Sequence, residues 1–149
     1  MKISNILFTL LITFNLNMSF AQDIKPNFQK NDAQQEEEKN TFFQQADIFI
    51  LPTMNECFPL VILEAMEYKL PVISTNEGGI PDMVKDGENG LICEKQNPVS
   101  LADCIAKLLD DEELRVKMGN AGYDKFCREF TLQQFEHRML DILSQNLTQ

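Results

Sequence analysis

The strongest constraint on the fold is an apolar run at residues 48–51, which contains no polar side chain. A strand with one face in water alternates apolar and polar residues, whereas a continuous apolar run is typical of a strand covered on both faces. A second predicted strand, at residues 71–75, follows a predicted helix at residues 59–68. This strand–helix–strand order predicts an α/β fold with a parallel sheet, in which a ligand binds at the carboxyl ends of the strands.

Helix and turn signals predict the remaining elements. Phe42 and Phe43 are expected to point inward from a short helix at residues 36–45. Thr131 with Gln134 forms a capping box, which predicts a last helix to about residue 146. The other predicted elements are a short helix from residue 80, a turn at 87–90, a strand at 91–93, a helix at 98–109 capped by Asn97, and two short helices at 111–118 and 120–130.

The chain is acidic, and this narrows the choice of partners. Its 149 residues include 23 Asp and Glu against 13 Lys and Arg, for a net charge of −10. Nucleic acids and anionic membranes attract clusters of Lys and Arg, and the sequence has no such cluster. We therefore expect no nucleic-acid partner. Separately, a length of 149 residues predicts a single domain.

The N-terminal residues differ in character from the rest of the chain. Residues 1–21 are interpreted as a signal-peptide-like segment, because an apolar run at 6–16 precedes a small-x-small pattern at 19–21. The alternative is the first buried strand of the domain. Residues 22–35 are polar and are predicted to be a flexible linker, which leaves residues 36–149 as the folded domain.

The cysteines do not have the spacing of a metal or redox site. No pair among Cys57, Cys93, Cys104 and Cys127 forms a C-x-x-C motif. An even count suggests disulfides in an exported protein, but Cys93 ends a predicted strand and Cys104 lies on the apolar side of a predicted helix. We therefore expect buried free thiols.

Two carboxylates, Glu56 and Glu64, lie on either side of a predicted helix start. A helix that begins at Pro59 offers free backbone N–H groups and a positive dipole end to a phosphate, and proline at the first helical position loses no hydrogen bond. Glu64 lies about 7–8 Å further along the helix axis, where it could accept hydrogen bonds from a ribose. The segment therefore predicts a sugar-nucleotide site, with Glu56 toward the sugar.

Five motifs, in the order in which the family has them, resemble the donor-binding half of the retaining GT-B glycosyltransferases of family 4, or group 1. Glu56 and Glu64 match the Glu-x7-Glu motif of that family. The resemblance runs from about residue 36 to 143 and includes residues 46–53, 70–75, the Gly-Gly loop at 77–82 and the Asp-Gly-Glu-Asn-Gly turn at 86–90. It implies a partial Rossmann-like domain, the C-terminal domain of the GT-B fold, with parallel strands and a helical C-terminal tail.

The resemblance also implies roles for individual residues. Glu64 would bind the ribose hydroxyls, and Glu56 would lie beside the donor sugar as the candidate catalytic residue. The other implied donor contacts are the backbone N–H groups of Phe58, Leu60 and Val61 and the closely approaching backbone of Gly78 and Gly79.

The sequence departs from the family at three positions within these motifs. Many relatives have glycine where this chain has Cys57 and Pro59, and Pro59 lacks a backbone donor. Asp82 stands where the family usually has glutamate. No Asp-x-Asp motif is present, so we expect no metal and no other cofactor.

The implied activity is transfer of a sugar from a nucleoside diphosphate sugar to a glycan or lipid acceptor that the sequence does not identify. The family also uses an N-terminal domain, so the segment is interpreted as a truncated donor-binding domain that is inactive alone. We therefore expect an apolar stripe of the last helix to be exposed: Leu132, Phe135, Met139 and Ile142.

Two questions stay open from the sequence: in which compartment the protein is located, and whether it is an enzyme. Nucleotide sugars are made in the cytoplasm, whereas the N-terminus suggests export. The alternative to a transferase is a non-catalytic exported α/β binding protein, or a gene remnant, on the same scaffold.

Overall fold

The computed structural model describes residues 7–8 and 32–147, which form a parallel sheet covered by helices. The strands are β1 (Leu7–Phe8), β2 (Phe49–Leu51), β3 (Val72–Thr75) and β4 (Gly90–Cys93). They are neighbours in that order, and each pair is parallel. The helices are α1 (Asp32–Gln45), α2 (Leu60–Glu67), α3 (Ile80–Met83), α4 (Pro98–Asp110), α5 (Glu112–Glu129) and α6 (Leu132–Leu147). This architecture confirms the predicted α/β fold.

Alternate residues of the strands face two separate cores. Phe49 and Leu51 pack with residues of α1, α2 and α3 on one face of the sheet. Ile48, Ile50 and Ile73 pack with residues of α4 on the other face. All five side chains are almost fully buried. The apolar run at residues 48–51 is therefore covered on both faces, as predicted.

A tight turn leads from α2 into β3. Lys69 has a positive φ of 58°, and its N–H donates to the Met66 carbonyl at 3.0 Å. The N–H of Leu70 donates to the Ala65 carbonyl at 3.0 Å. These two bonds form a Schellman motif, which satisfies carbonyls at the end of the helix.

α5 is one continuous helix, so the predicted break between residues 118 and 120 is wrong. Gly119 lies at the predicted break, and its role is tertiary. A Cβ at this position would overlap the carbonyl oxygen of Lys69. Glycine therefore lets α5 pack directly on the backbone at the end of α2, at a modest cost in helix propensity.

β1 lies within the segment that was interpreted as a signal peptide. Leu7 pairs with Phe49 and Phe8 with Ile50, which is what the first-strand alternative expects. The other residues of the 1–21 segment, and residues 22–31 of the predicted linker, lie outside the described residues. For these residues, the signal-peptide and linker interpretations stay predictions. α1 begins at Asp32, inside the predicted linker and ahead of the expected start at residue 36.

Phe42 and Phe43 face in different directions. Phe43 is 3% exposed and its ring stacks on Tyr68 with 5.4 Å between centroids, whereas Phe42 is 59% exposed. The prediction that both point inward is wrong for Phe42, because neighbouring residues of a helix lie on different faces.

The apolar side chains of α6 from Leu132 to Leu143 are exposed to solvent. The predicted stripe is confirmed as exposed at all four positions, Leu132, Phe135, Met139 and Ile142. Across residues 7–8 and 32–147, no helix is long and apolar enough to cross a bilayer.

The four cysteines are free thiols, but only one is fully buried. Cys93 is buried and Cys104 is half-buried. Burial is the main cause that raises the pKa of both thiols above the ordinary cysteine value. Cys57 and Cys127 are exposed. The expectation of buried thiols is therefore confirmed for Cys93, is met only in part for Cys104 and is wrong for Cys57 and Cys127.

Candidate functional site

The carboxyl ends of β2 and β3 are joined by two side-chain hydrogen bonds. The Ser74 hydroxyl donates to the Leu51 carbonyl at 2.7 Å, and the Thr75 hydroxyl donates to the Thr53 carbonyl at 2.6 Å. Both donors are buried. Since these bonds hold the two strand ends together, the loops that follow them leave the sheet side by side.

The two loops meet at Gly78 and Gly79. Gly78 has a φ of +50°, and a Cβ there would overlap the Glu56 carbonyl oxygen and lie 2.6 Å from that of Cys57. The N–H of Gly79 donates to the Cys57 carbonyl at 2.6 Å. The backbone of Gly78 and Gly79 therefore lies directly against that of Glu56 and Cys57, whereas its predicted close approach to a donor stays a prediction.

The N-terminus of α2 is open. Pro59 is the N-cap, with φ −75° and ψ 99°, rather than the first helical residue as predicted. It makes no side-chain capping bond, and no acidic residue lies in the first turn. Leu60 and Val61 take the first two helical positions, whose N–H groups have no intrahelical partner. This end of the helix can receive an anion from solvent.

Phe58 links the open helix end to α5. A Cβ at Gly79 would lie 2.5 Å from the Phe58 ring, so the ring rests on that glycine. The ring also packs against Phe130 at the end of α5, with 6.3 Å between centroids. Phe58 is 41% exposed, so one side of the ring is in contact with solvent.

Glu64 faces α1. One oxygen, Oε1, accepts a hydrogen bond from the Lys39 ammonium at 3.2 Å, and both side chains are a little over a third exposed. The pair lines a polar cleft of about 240 Å³ between α1 and α2. Glu64 is therefore accessible, with its second oxygen available to a ligand.

Two lysines near the site were not anticipated from the sequence. Lys39 was missed because its partner lies 25 residues away. Lys125 is only 7% exposed, and its ammonium donates to the Asp82 carbonyl beyond the Gly78–Gly79 loop. A signal for Lys125 exists, because it continues the helical spacing of buried Met118 and Gly122.

The Asp86–Gly90 turn is structural, as predicted. Asn89 is 2% exposed, accepts from the Lys85 N–H at 2.7 Å and donates to the Met83 carbonyl at 2.9 Å. Asp86 accepts from the Ile92 N–H at 2.9 Å. These bonds fix the entry into β4.

The structure brings most of the predicted site residues to one edge of the sheet. Gly78 contacts the Glu56 carbonyl and Gly79 contacts the Phe58 ring there, and Leu60 and Val61 follow at the start of α2. Glu64 lies further along α2 and faces α1. In the described part of the chain, no group of three His, Cys, Asp or Glu side chains could hold a metal ion.

Comparisons with known proteins identify the family. The family model "Glycosyl transferases group 1" matches residues 21–125, more than half of the chain. A D-inositol 3-phosphate glycosyltransferase of Corynebacterium glutamicum (strain R) is 44% identical over 77 residues, which are 52% of this chain and 18% of that protein.

Two solved structures resemble the chain. Sucrose-phosphate synthase from Thermosynechococcus elongatus is 27% identical, with a TM-score of 0.68 over 75% of this chain and 28% of that one. The C-terminal domain of a group 1 family glycosyl transferase from Francisella tularensis is 31% identical, with a TM-score of 0.62 over 69% of this chain and 51% of that one.

The chain spans only 18–28% of the length of the first curated relatives it matches. The match to the family model nevertheless covers β2, β3 and β4, the Glu-x7-Glu segment and the Gly-Gly loop. The chain therefore belongs to the group 1 glycosyl transferases and has the α/β fold of their C-terminal GT-B domain.

Proposed function

We propose that this chain binds the nucleoside diphosphate sugar of a glycosyltransferase and contributes Glu56 and Glu64 to sugar transfer. The observation that carries the proposal is the open N-terminus of α2 beside the two joined loops. Its first helical N–H groups, at Leu60 and Val61, lie at the carboxyl edge of the sheet. Ligands of parallel α/β folds bind at this edge.

The arrangement suits the three parts of such a donor. The diphosphate would accept hydrogen bonds from the N–H groups of Phe58, Leu60 and Val61, and the helix dipole would stabilise the charge that grows as the diphosphate leaves. The ribose would donate to the free oxygen of Glu64, since Lys39 already occupies the other one. Glu56 would face the sugar from the loop beside Gly78.

Transfer needs more than this part of the site. We propose that an N-terminal domain supplies the acceptor, a glycan or lipid, and that the chain alone binds the donor without turning it over. No metal or other cofactor takes part in this proposal, because the helix end and backbone donors provide the diphosphate contacts.

The test is an NMR titration of the full chain with UDP, GDP and ADP. We expect saturable shifts at the amides of residues 58–61 with one of the nucleotides. Glu64→Gln keeps the size of the side chain but removes its charge, and should weaken binding about tenfold. Glu113→Gln, at an exposed position of α5 outside the cleft of Glu64, is the matched control.

The outcomes separate a donor site from an inherited scaffold. A folded spectrum with no response to any nucleotide would refute the proposal and favour a non-catalytic role. Equal weakening by Glu64→Gln and Glu113→Gln would remove Glu64 from the site while leaving nucleotide binding in place.

A further inference from the structure

We propose that Lys125 is a positioning residue for the donor site, holding the Gly78–Gly79 loop, and through it the Glu56–Phe58 backbone, from the side of α5. The inference rests on the proposed function, because the loops it positions are those assigned to the donor. Lys125 lies far along the chain from these loops, and its ammonium donates to the carbonyl of Asp82 in α3.

A closed series of contacts connects Lys125 with the site. The Asp82 N–H donates to the Gly79 carbonyl at 3.2 Å, and the Gly79 N–H donates to the Cys57 carbonyl at 2.6 Å. Asp82 is thus bonded to Lys125 on one side and to the loop on the other. A shift of the Asp82 carbonyl would pass directly to Gly79 and from there to Cys57.

The aromatic rings complete the series. Phe58 follows Cys57 and packs on both Gly79 and Phe130. The Lys125 ammonium lies 6.0 Å from the centre of the Phe130 ring, within the range of a cation–π contact. Lys125 therefore contacts the two ends of the series, the Asp82 carbonyl and the Phe130 ring. We call the set of six residues the loop clamp: Cys57, Phe58, Gly79, Asp82, Lys125 and Phe130.

A lysine is a costly residue for this position, which argues for a specific role. Burial lowers the pKa of Lys125 below the ordinary lysine value, so the charged form loses solvation there. Glu129 and Glu88 favour the ammonium, whereas Lys85 and Arg128 oppose it. Methionine would fill similar space without the cost of a buried charge. The ammonium gains its contact with the Asp82 carbonyl in return.

Hydrogen exchange separates positioning from general stabilisation. The variants Lys125→Met and Lys125→Arg are compared with Lys107→Met, at an exposed position on α4 across the sheet. In Lys125→Met we expect the Gly79 amide to exchange about tenfold faster, while the amides of β3 keep their rate. Lys125→Arg should restore most of the protection, and Lys107→Met should change neither.

The exchange readout needs no nucleotide, so it stands apart from the donor proposal. An equal acceleration at Gly79 and in β3 would overturn the inference and assign Lys125 to general stability. If Lys125→Met does not fold, Phe130→Leu removes the other contact of the clamp, and the same local loss at Gly79 is expected. Unchanged Gly79 exchange in both variants would refute the clamp.

The nucleotide titration then tests the link to function. If the wild-type chain binds a nucleotide, Lys125→Met should weaken that binding several-fold, with shifts at residues 57–58, and Lys125→Arg should rescue it. Binding that Lys125→Met leaves unchanged would refute positioning. A wild-type chain that binds no nucleotide, with Gly79 still sensitive to Lys125, would refute the donor site and with it the functional role of the clamp.

Discussion

Replacing Gly78 with alanine should destabilise the fold far more than the same replacement at Gly87. Both glycines have positive φ, +50° and +76°, so each change places a Cβ in the left-handed region. That conformation costs about 1 kcal/mol for alanine. Only Gly78 has neighbours in the way. A Cβ there would overlap the Glu56 carbonyl oxygen and lie 2.6 Å from that of Cys57, whereas nothing lies within 4 Å at Gly87.

The contact adds to the conformational cost. Forcing a methyl group into occupied space costs about 1–3 kcal/mol, because neighbouring atoms must shift. The Gly78 neighbours are backbone atoms, and one of them also accepts the Gly79 N–H. We therefore expect a loss of about 2–4 kcal/mol for Gly78→Ala and about 1 kcal/mol for Gly87→Ala.

Urea denaturation followed by far-UV circular dichroism measures both free energies of unfolding by linear extrapolation. The difference between the variants isolates the loop contact, because the φ penalty is common to both. Equal losses, at an unchanged denaturant slope, would contradict the contact between the loops after β2 and β3. They would also remove the basis for Gly79 as a link between Asp82 and Cys57.

Three further outcomes are expected. Gly119→Ala should lower the free energy of unfolding by about 1–3 kcal/mol in urea denaturation, because its Cβ would overlap the Lys69 carbonyl oxygen. Gly122→Ala, with its nearest neighbour at 3.5 Å, should instead gain up to about 1 kcal/mol of helix propensity. Arg115→Met should lower the free energy of unfolding by about 2–4 kcal/mol in the same assay, because the buried guanidinium donates to the Leu108 and Leu109 carbonyls at 2.6 and 3.0 Å. Arg128→Met, at an exposed position, should change it little. Iodoacetamide followed by peptide mass spectrometry should label Cys57 and Cys127 in the folded protein and Cys93 only after unfolding; early labelling of Cys93 would contradict its burial.

Local signals in the sequence were enough to predict most of the fold. The apolar run at residues 48–51 predicted a strand covered on both faces, and the Asn97 cap predicted α4. The Asn97 side chain accepts from the Val99 and Ser100 N–H groups. The signal for each of these features lies within a few neighbouring residues, so a short stretch of sequence is enough to predict it.

Several of the errors and omissions concern contacts between distant segments. Gly119 has the local signature of a helix break, yet its reason is the Lys69 carbonyl, 50 residues earlier in the chain. Lys39 and Glu64 pair across two helices, and Lys125 contacts a carbonyl 43 residues away. Periodicity could place each residue on a helix face, but it could not say which backbone atom that face would meet.

The departures from the family at residues 57 and 59 need not move the loop that follows β2. Cys57 is exposed and is not among the residues with positive φ, so its position does not require glycine. It contributes its carbonyl, which accepts from the Gly79 N–H, and any residue has that group. Pro59 has a φ of −75°, within the range of its ring, and its carbonyl accepts from the Ile62 N–H at 3.0 Å.

The same backbone therefore accommodates glycine or the residues of this chain. What Pro59 removes is one N–H group at the N-cap, while the N–H groups of Leu60 and Val61 stay directed out of the helix end. The loop geometry depends instead on Gly78, where positive φ and the carbonyls of Glu56 and Cys57 exclude any side chain. Side-chain identity in the Glu-x7-Glu segment can thus vary between its two carboxylates, provided that the glycine on the neighbouring loop is kept.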